Sequence, residues 1–182
     1  MALTHTPPVD SLMLPEFNLI ATDGKYYSNQ SFNQNKRGLL VMFICNHCPY
    51  VIAVEDRIIA LGNFLKEQNF SVVAICSNDS NQYKEDSYEN LKLRAESKQY
   101  PFPYLFDESQ IVAKSFGAVC TPDFFLFDSY NNLAYRGQLD DSWKDPTQVT
   151  KHDLKEAALN IINGLPVSSK QIPSMGCSIK WK

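Results

Sequence analysis

Cys45 and Cys48 stand at C-x-x-C spacing, with His47 between them and Pro49 directly after. That spacing lets two thiols close one small disulfide loop. Proline suits the first turn of a helix, and a helix N-terminus favours the thiolate, the reactive form of cysteine. These residues offer thiol–disulfide exchange. An imidazolium at His47 favours a thiolate further and makes the couple more oxidising. Cys76, Cys120 and Cys177 bring the cysteines to five, an odd number that fits catalytic or buried thiols better than a disulfide framework. A tetrahedral zinc needs four ligands and one C-x-x-C supplies two. Cys120 and His47 are the remaining candidates, but no second pair has ligand spacing. No metal and no cofactor are expected.

The elements that must position these thiols are legible on either side. Gly38 to Ile44 is an unbroken apolar run, the pattern of a strand buried on both faces. From Pro49, Val51, Val54, Ile58, Leu61 and Leu65 recur at three- and four-residue spacing, so an amphipathic helix is expected to about Glu67. Glu16 to Thr22, Asp23-Gly24 and Lys25-Tyr-Tyr read as a hairpin, with Ser28 capping a short helix around Gln30 to Asn33. Phe70 to Cys76 reads as a second buried strand. Asp79 and Gln82 have capping-box spacing for a helix through Lys98. Pro101 to Asp107 suggests an edge strand, because proline is confined to edges, and Ser109 to Phe116 a short helix closed by Gly117. Phe124 to Phe127 and Leu133 to Gln138 form a strand pair. Thr150 to Asp153 caps a last helix, stopped by Gly164 and Pro166.

Strands joined by helices demand parallel crossovers, while the late pair is antiparallel. The architecture expected is α/β, a mixed central sheet flanked by helices on both faces, with an N-terminal hairpin. Residues 1–15 read as an extended arm, 16–166 as one domain and 167–182 as a tail without clear period. The 182 residues are 44% hydrophobic, enough for a single core, and the net charge of −3 gives no basic surface for nucleic acid. The N-terminal stretch has three prolines and no apolar signal region. No run approaches the roughly 20 apolar residues of a membrane span. A cytoplasmic protein with neither nucleic-acid nor membrane partners is expected; the oligomeric state is open.

Phe43-Ile-Cys45-Asn-His47-Cys48-Pro49 at a strand-to-helix junction, with Thr121-Pro122 ahead of a later strand, resembles the thioredoxin superfamily. Within it the chain resembles the redoxin branch, the peroxiredoxin-like proteins of the alkyl hydroperoxide reductase/thiol-specific antioxidant group. The resemblance spans about residues 16–164 and implies a thioredoxin-like fold. It implies that Cys45 is the nucleophile and Cys48 the resolving thiol, with Cys45 nearer solvent and Cys48 partly covered. It implies that Pro122 is cis, and that Thr121 offers its backbone to a substrate chain. Gly176-Cys177-Ser-Ile-Lys-Trp181 resembles the tail of a subgroup of the branch.

The resemblance departs at three positions. Gly38 and Met42 stand where peroxiredoxins place a proline and a threonine ahead of the peroxide-attacking cysteine. Leu39 stands where thioredoxins carry a buried acid; Glu55 or Asp56 is the nearest substitute in sequence. The function expected is thiol–disulfide oxidoreductase, acting through a mixed disulfide on a disulfide-containing or thiol protein together with an electron donor. Two alternatives are a peroxiredoxin-like thiol peroxidase, with Cys45 attacking peroxide, and a non-catalytic binding module. Cys120 and Cys177 are possible accessory thiols, Tyr50 and Phe124 possible site walls, and Cys76 a core residue. Asp140-Asp141 is expected to solvate a turn, and His5 and His152 to lie on the surface.

Overall fold

A computed structural model describes residues 3–8, 11–32 and 35–182. In chain order its strands and helices are β1 (Leu3–His5), β2 (Asn18–Ala21), β3 (Tyr26–Ser28), β4 (Gly38–Phe43), α1 (Pro49–Glu67), β5 (Ser71–Cys76), α2 (Tyr88–Lys98), β6 (Tyr104–Phe106), α3 (Ile111–Phe116), β7 (Cys120–Thr121), β8 (Asp123–Asp128), β9 (Leu133–Arg136), α4 (Asp153–Ile162) and β10 (Met175–Ser178).

Seven strands form a central sheet in the order β3-β2-β6-β5-β4-β8-β9. β4, β5 and β6 run parallel, and β2, β8 and β9 are each antiparallel to the strand beside them. The mixed sheet expected from the element order is therefore present. All six residues of β4 are buried, because both its neighbours and both faces of the sheet are covered. On one face the α1 stripe of Val51, Val54, Ile58, Leu61 and Leu65 packs with Leu91 of α2 and Leu154 and Ala158 of α4. On the other face α3 contributes Val112, Ala113 and Phe116.

Three local expectations are corrected. β6 lies inside the sheet between β2 and β5, since its paired residues begin after Pro103 and leave the prolines outside the ladder. The second helix starts at Tyr88, not near Asp79: Ser87 caps it by accepting from the Asn90 amide at 3.4 Å. Asp79 instead bends a loop, accepting from the Asn81 amide at 2.9 Å. Thr150 caps no helix; its hydroxyl donates to Asp141, and α4 begins after His152 without a side-chain cap. The capping expected of Ser28 holds: it is the N-cap of a short 3-10 turn over Asn29–Ser31, its amide donating to the Ser31 hydroxyl at 3.1 Å, while the expected end of that segment, Asn33, lies outside the described residues.

The N-terminal arm and C-terminal tail meet in a second sheet of order β1-β10-β7. Cys177 pairs with Leu3 on one side and Thr121 on the other. Gly176 is required by this contact, because a Cβ there would stand 2.0 Å from the Thr121 carbonyl oxygen. The tail, which has no period of its own, is thereby built into the face that carries the cysteines. Among the described residues no helix is long and apolar enough to cross a membrane.

Candidate active site

β4 ends at Phe43, and Cys45 and Cys48 lie in the turn between it and α1, with Cys48 as the residue that precedes the helix and Pro49 in its first turn. The Thr121-Pro122 bond is cis. This loop faces the dithiol: the Cys48 thiol donates to the Thr121 carbonyl at 3.1 Å, and the Thr121 hydroxyl lies 3.2 Å from Cys45 Sγ. One residue of the β7 loop thus holds both sulfurs. The dithiol is more enclosed than the sequence suggested. Cys45 keeps 2% exposure and Cys48 none.

The two thiols titrate as a pair. Burial above all pushes Cys45 up, followed by its bond to Cys48 and the charge of Asp86. The same bond draws Cys48 down against the cost of burial, helped by contact with Cys177 and by the amide of Val51 in the first turn of α1. No hydrogen bond closes from a first-turn amide to Cys48 Sγ, yet the Val51 amide is near enough to favour a thiolate. One proton of the pair therefore leaves below the ordinary thiol range, and the second is held above it. A carbonyl oxygen only accepts, so Thr121 keeps the retained proton on Cys48 in this geometry. The charge then falls on Cys45, which can accept from the Thr121 hydroxyl.

His47 does not act alone. Its Nδ1 donates to Asp86 Oδ2 at 2.7 Å, and its ring stacks on Tyr83 with centroids 4.8 Å apart. Asp86 is fully buried and also accepts from the Asn46 amide and the Asn78 side chain, each at 2.8 Å. The bond to Asp86 raises the His47 pKa, outweighing desolvation, and favours the imidazolium. Cys45 Sγ, a His47 ring nitrogen and an Asp86 carboxylate oxygen all lie within 4.8 Å of one another. A thiolate, an imidazole and a carboxylate are also a candidate metal-ligand set, which the absence of a second ligand pair in the sequence did not foretell.

Asp86 is the residue beside the dithiol that the sequence reading missed. The expectation that a buried acid had been lost at Leu39 is only half right: Leu39 is core, but an acid reaches the thiols from the loop before α2. The signal lay in the 79–87 segment, which reads as helix until Ser87 is taken as the cap. Glu55 is no substitute, since Arg94 grips it through two bonds of 2.7 Å and Tyr100 through one of 2.6 Å; Asp56 faces solvent, its side chain 86% exposed.

The remaining cysteines separate. Cys177 shares a side-chain hydrogen bond with Cys48 and belongs to the same buried cluster as both C-x-x-C residues. The thiol of Cys120 donates to the Pro122 carbonyl at 3.6 Å, and burial pushes its pKa up. Cys76 is wholly buried at the end of β5, as expected of a core residue. Two other expectations change. The Thr121 backbone, implied to receive a substrate chain, is already paired with β10. Asp140 is not a solvated turn residue but the buried partner of Arg57, which also donates to the Ser142 and Trp143 carbonyls and so fixes that loop. Trp143 in turn packs on Tyr50, centroids 4.3 Å apart, and with Pro122 and Phe124 they line a groove of about 150 Å³. His5 and His152 are exposed.

Comparison with known proteins bears on the family and the fold. The redoxin family matches residues 8–157. An uncharacterized conserved protein from Geobacillus kaustophilus is 43% identical with a TM-score of 0.95, the match covering 100% of this chain and 97% of that one. A hypothetical protein from Sinorhizobium meliloti is 36% identical with a TM-score of 0.93, covering 98% of each chain. The peroxidoxin BcpB of Mycobacterium tuberculosis, at 16% identity and a TM-score of 0.64 over 85% of this chain and 96% of its own, shares the fold. No curated protein matches. The chain belongs to the redoxin family of the thioredoxin superfamily. It is a thiol redox protein with a thioredoxin-like α/β fold.

Proposed function

We propose that the protein is a thiol–disulfide oxidoreductase in which Cys45 attacks a substrate disulfide and Cys48 resolves the mixed disulfide. The observation that supports this most is the placement of both sulfurs on Thr121, whose carbonyl accepts from the Cys48 thiol while its hydroxyl lies 3.2 Å from Cys45 Sγ. That arrangement favours one nucleophile and one proton-bearing partner. The imidazolium at His47, sustained by Asp86, further favours charge on the pair. The groove beside Pro122, with Tyr50 and Trp143 as walls, offers a place for an apolar group of a substrate chain beside the Thr121-Pro122 loop. Cys45→Ser should abolish reduction of insulin disulfides, and Cys48→Ser should accumulate mixed disulfides visible on non-reducing gels. Normal turnover by Cys45→Ser would overturn the reading.

A second reading has one specific observation in its favour. Met42 leaves no hydroxyl on the strand before the motif, but Thr121 brings one to 3.2 Å from Cys45 Sγ from the opposite loop. A hydroxyl there can orient a peroxide for attack by Cys45, giving a sulfenic acid that Cys48 condenses into a disulfide. Trapping with dimedone after micromolar peroxide tests it in Cys48→Ser, where the sulfenic acid cannot be resolved within the motif; an unlabelled Cys45 would sink it.

A further inference from the structure

We propose that Cys177 is a third redox thiol of this site, which takes over the disulfide of the Cys45–Cys48 pair by attacking Cys48. The proposal rests on the oxidoreductase reading above. Cys177 sits opposite Thr121 in the β10–β7 pairing, and Cys48 donates to the carbonyl of that same Thr121 at 3.1 Å. The two thiols share a hydrogen bond and one buried cluster. Close approach is enforced by Gly176, whose missing Cβ lets the strand lie flush on the Thr121 backbone. The chain beyond Cys177 is pinned as well: the Ile179 amide donates to the Val119 carbonyl at 3.0 Å, and the Lys180 amide to Asn78 Oδ1 at 2.8 Å. Cys177 is itself only 2% exposed. The sulfur within its reach is that of Cys48, with which it shares the hydrogen bond.

The exchange balances without an added oxidant. The sulfur of Cys177 attacks Cys48 Sγ, the Cys48–Cys177 bond forms and the Cys45–Cys48 bond breaks. Cys45 leaves as a thiolate and takes up the proton that Cys177 releases. The two electrons given up by Cys177 are those gained by Cys45. Thr121 and His47, which favour charge at Cys45, make it the better leaving group. The reduced site also restrains the step. Burial first, then the bond to Cys48, push the Cys177 thiol up to about 12. In the Cys45–Cys48 disulfide that bond between thiols is gone, so this part of the restraint on Cys177 is relieved only in the oxidised protein.

The test uses the full chain, oxidised with glutathione disulfide, quenched in acid, alkylated with N-ethylmaleimide and digested with trypsin without reduction. A Cys45–Cys48 disulfide stays within the peptide running from Gly38 to Arg57. A Cys48–Cys177 disulfide joins that peptide to the one from Gln171 to Lys180, with the maleimide on Cys45. The joined peptide should appear after the internal disulfide. It should be lost in Cys177→Ala and diminished in Gly176→Ala, which keeps the thiol but wedges the strand. An internal disulfide that persists alone, or a Cys177 linked to Cys45, overturns the proposal. Insulin reduction by Cys45→Ser reports separately on the underlying reading: a normal rate there defeats the oxidoreductase assignment, while its loss together with an absent joined peptide defeats the third thiol alone.

Discussion

Cys45, Cys48 and Cys177 form one group and Cys76 and Cys120 another, yet burial does not distinguish them: all five are 2% exposed or less. The difference is in what each sulfur meets. Cys45 meets a hydroxyl, Cys48 a carbonyl and two thiols, and the imidazole and carboxylate of His47 and Asp86 stand beside them. Cys120 meets the Pro122 carbonyl and the charge of buried Asp123, and Cys76 lies in the apolar sheet near the charges of Asp86 and Asp107. Burial and these negative charges hold both firmly protonated. On the proposed function, reactivity follows from polar neighbours that can support charge and from a second sulfur within reach, more than from access to solvent.

The sharpest way to break the contrast after removal of Cys45 itself is Gly176→Ala. The added methyl meets the Thr121 backbone at 2.0 Å, so the strand must shift. A loss of about 1–3 kcal/mol is expected from the overpacking, read by urea unfolding. Activity should fall with it, since Thr121 is the residue that positions both sulfurs.

His47→Asn should have a smaller effect that depends on pH. The pKa of His47 is raised in the folded protein, so its contribution to stability is fully present below the unfolded value, near 6.5, and is lost as pH rises through the raised value. Unfolding measured in wild type and variant should therefore differ most at acidic pH and converge at alkaline pH. The charge of the thiol pair raises His47, so by reciprocity the imidazolium lowers the first step of the pair. Alkylation of Cys45 by iodoacetamide should accordingly move to higher pH in the variant. An unmoved profile would place His47 outside the tuning of the site.

Cys120→Ala should change least. Loss of one buried sulfur is expected to cost about 1 kcal/mol in unfolding experiments and to leave the rate of insulin reduction near wild type. A large loss of activity at unchanged stability would move Cys120 into the reactive group and erase the distinction drawn above.

Much of this site is legible locally. The apolar run of β4, the C-x-x-C, Pro49 and the α1 stripe are adjacent in sequence, and each obeys a short-range rule of strand burial, thiol spacing or helix period. Asp86 was hidden because Asp79 and Gln82 offer a helix start that competes with Ser87. The loop is favoured by contacts from far along the chain, in which the Asp79 amide donates to the Lys180 carbonyl and Asn78 holds both Asp86 and the Lys180 amide. The edge assignment of β6 failed for a related reason: the prolines are at its start, and only pairing shows which residues enter the ladder.

The sequence by itself determined the chemistry available, a dithiol at the start of a helix, and it determined the α/β order of the elements. Tertiary structure alone decided which groups face the sulfurs. Asp86 comes from 38 residues beyond Cys48, Thr121 from 73 and Cys177 from 129. No local period encodes such approaches. They arise where β10 closes against β7, because an extended tail has no stable strand identity until other backbones satisfy its amides and carbonyls.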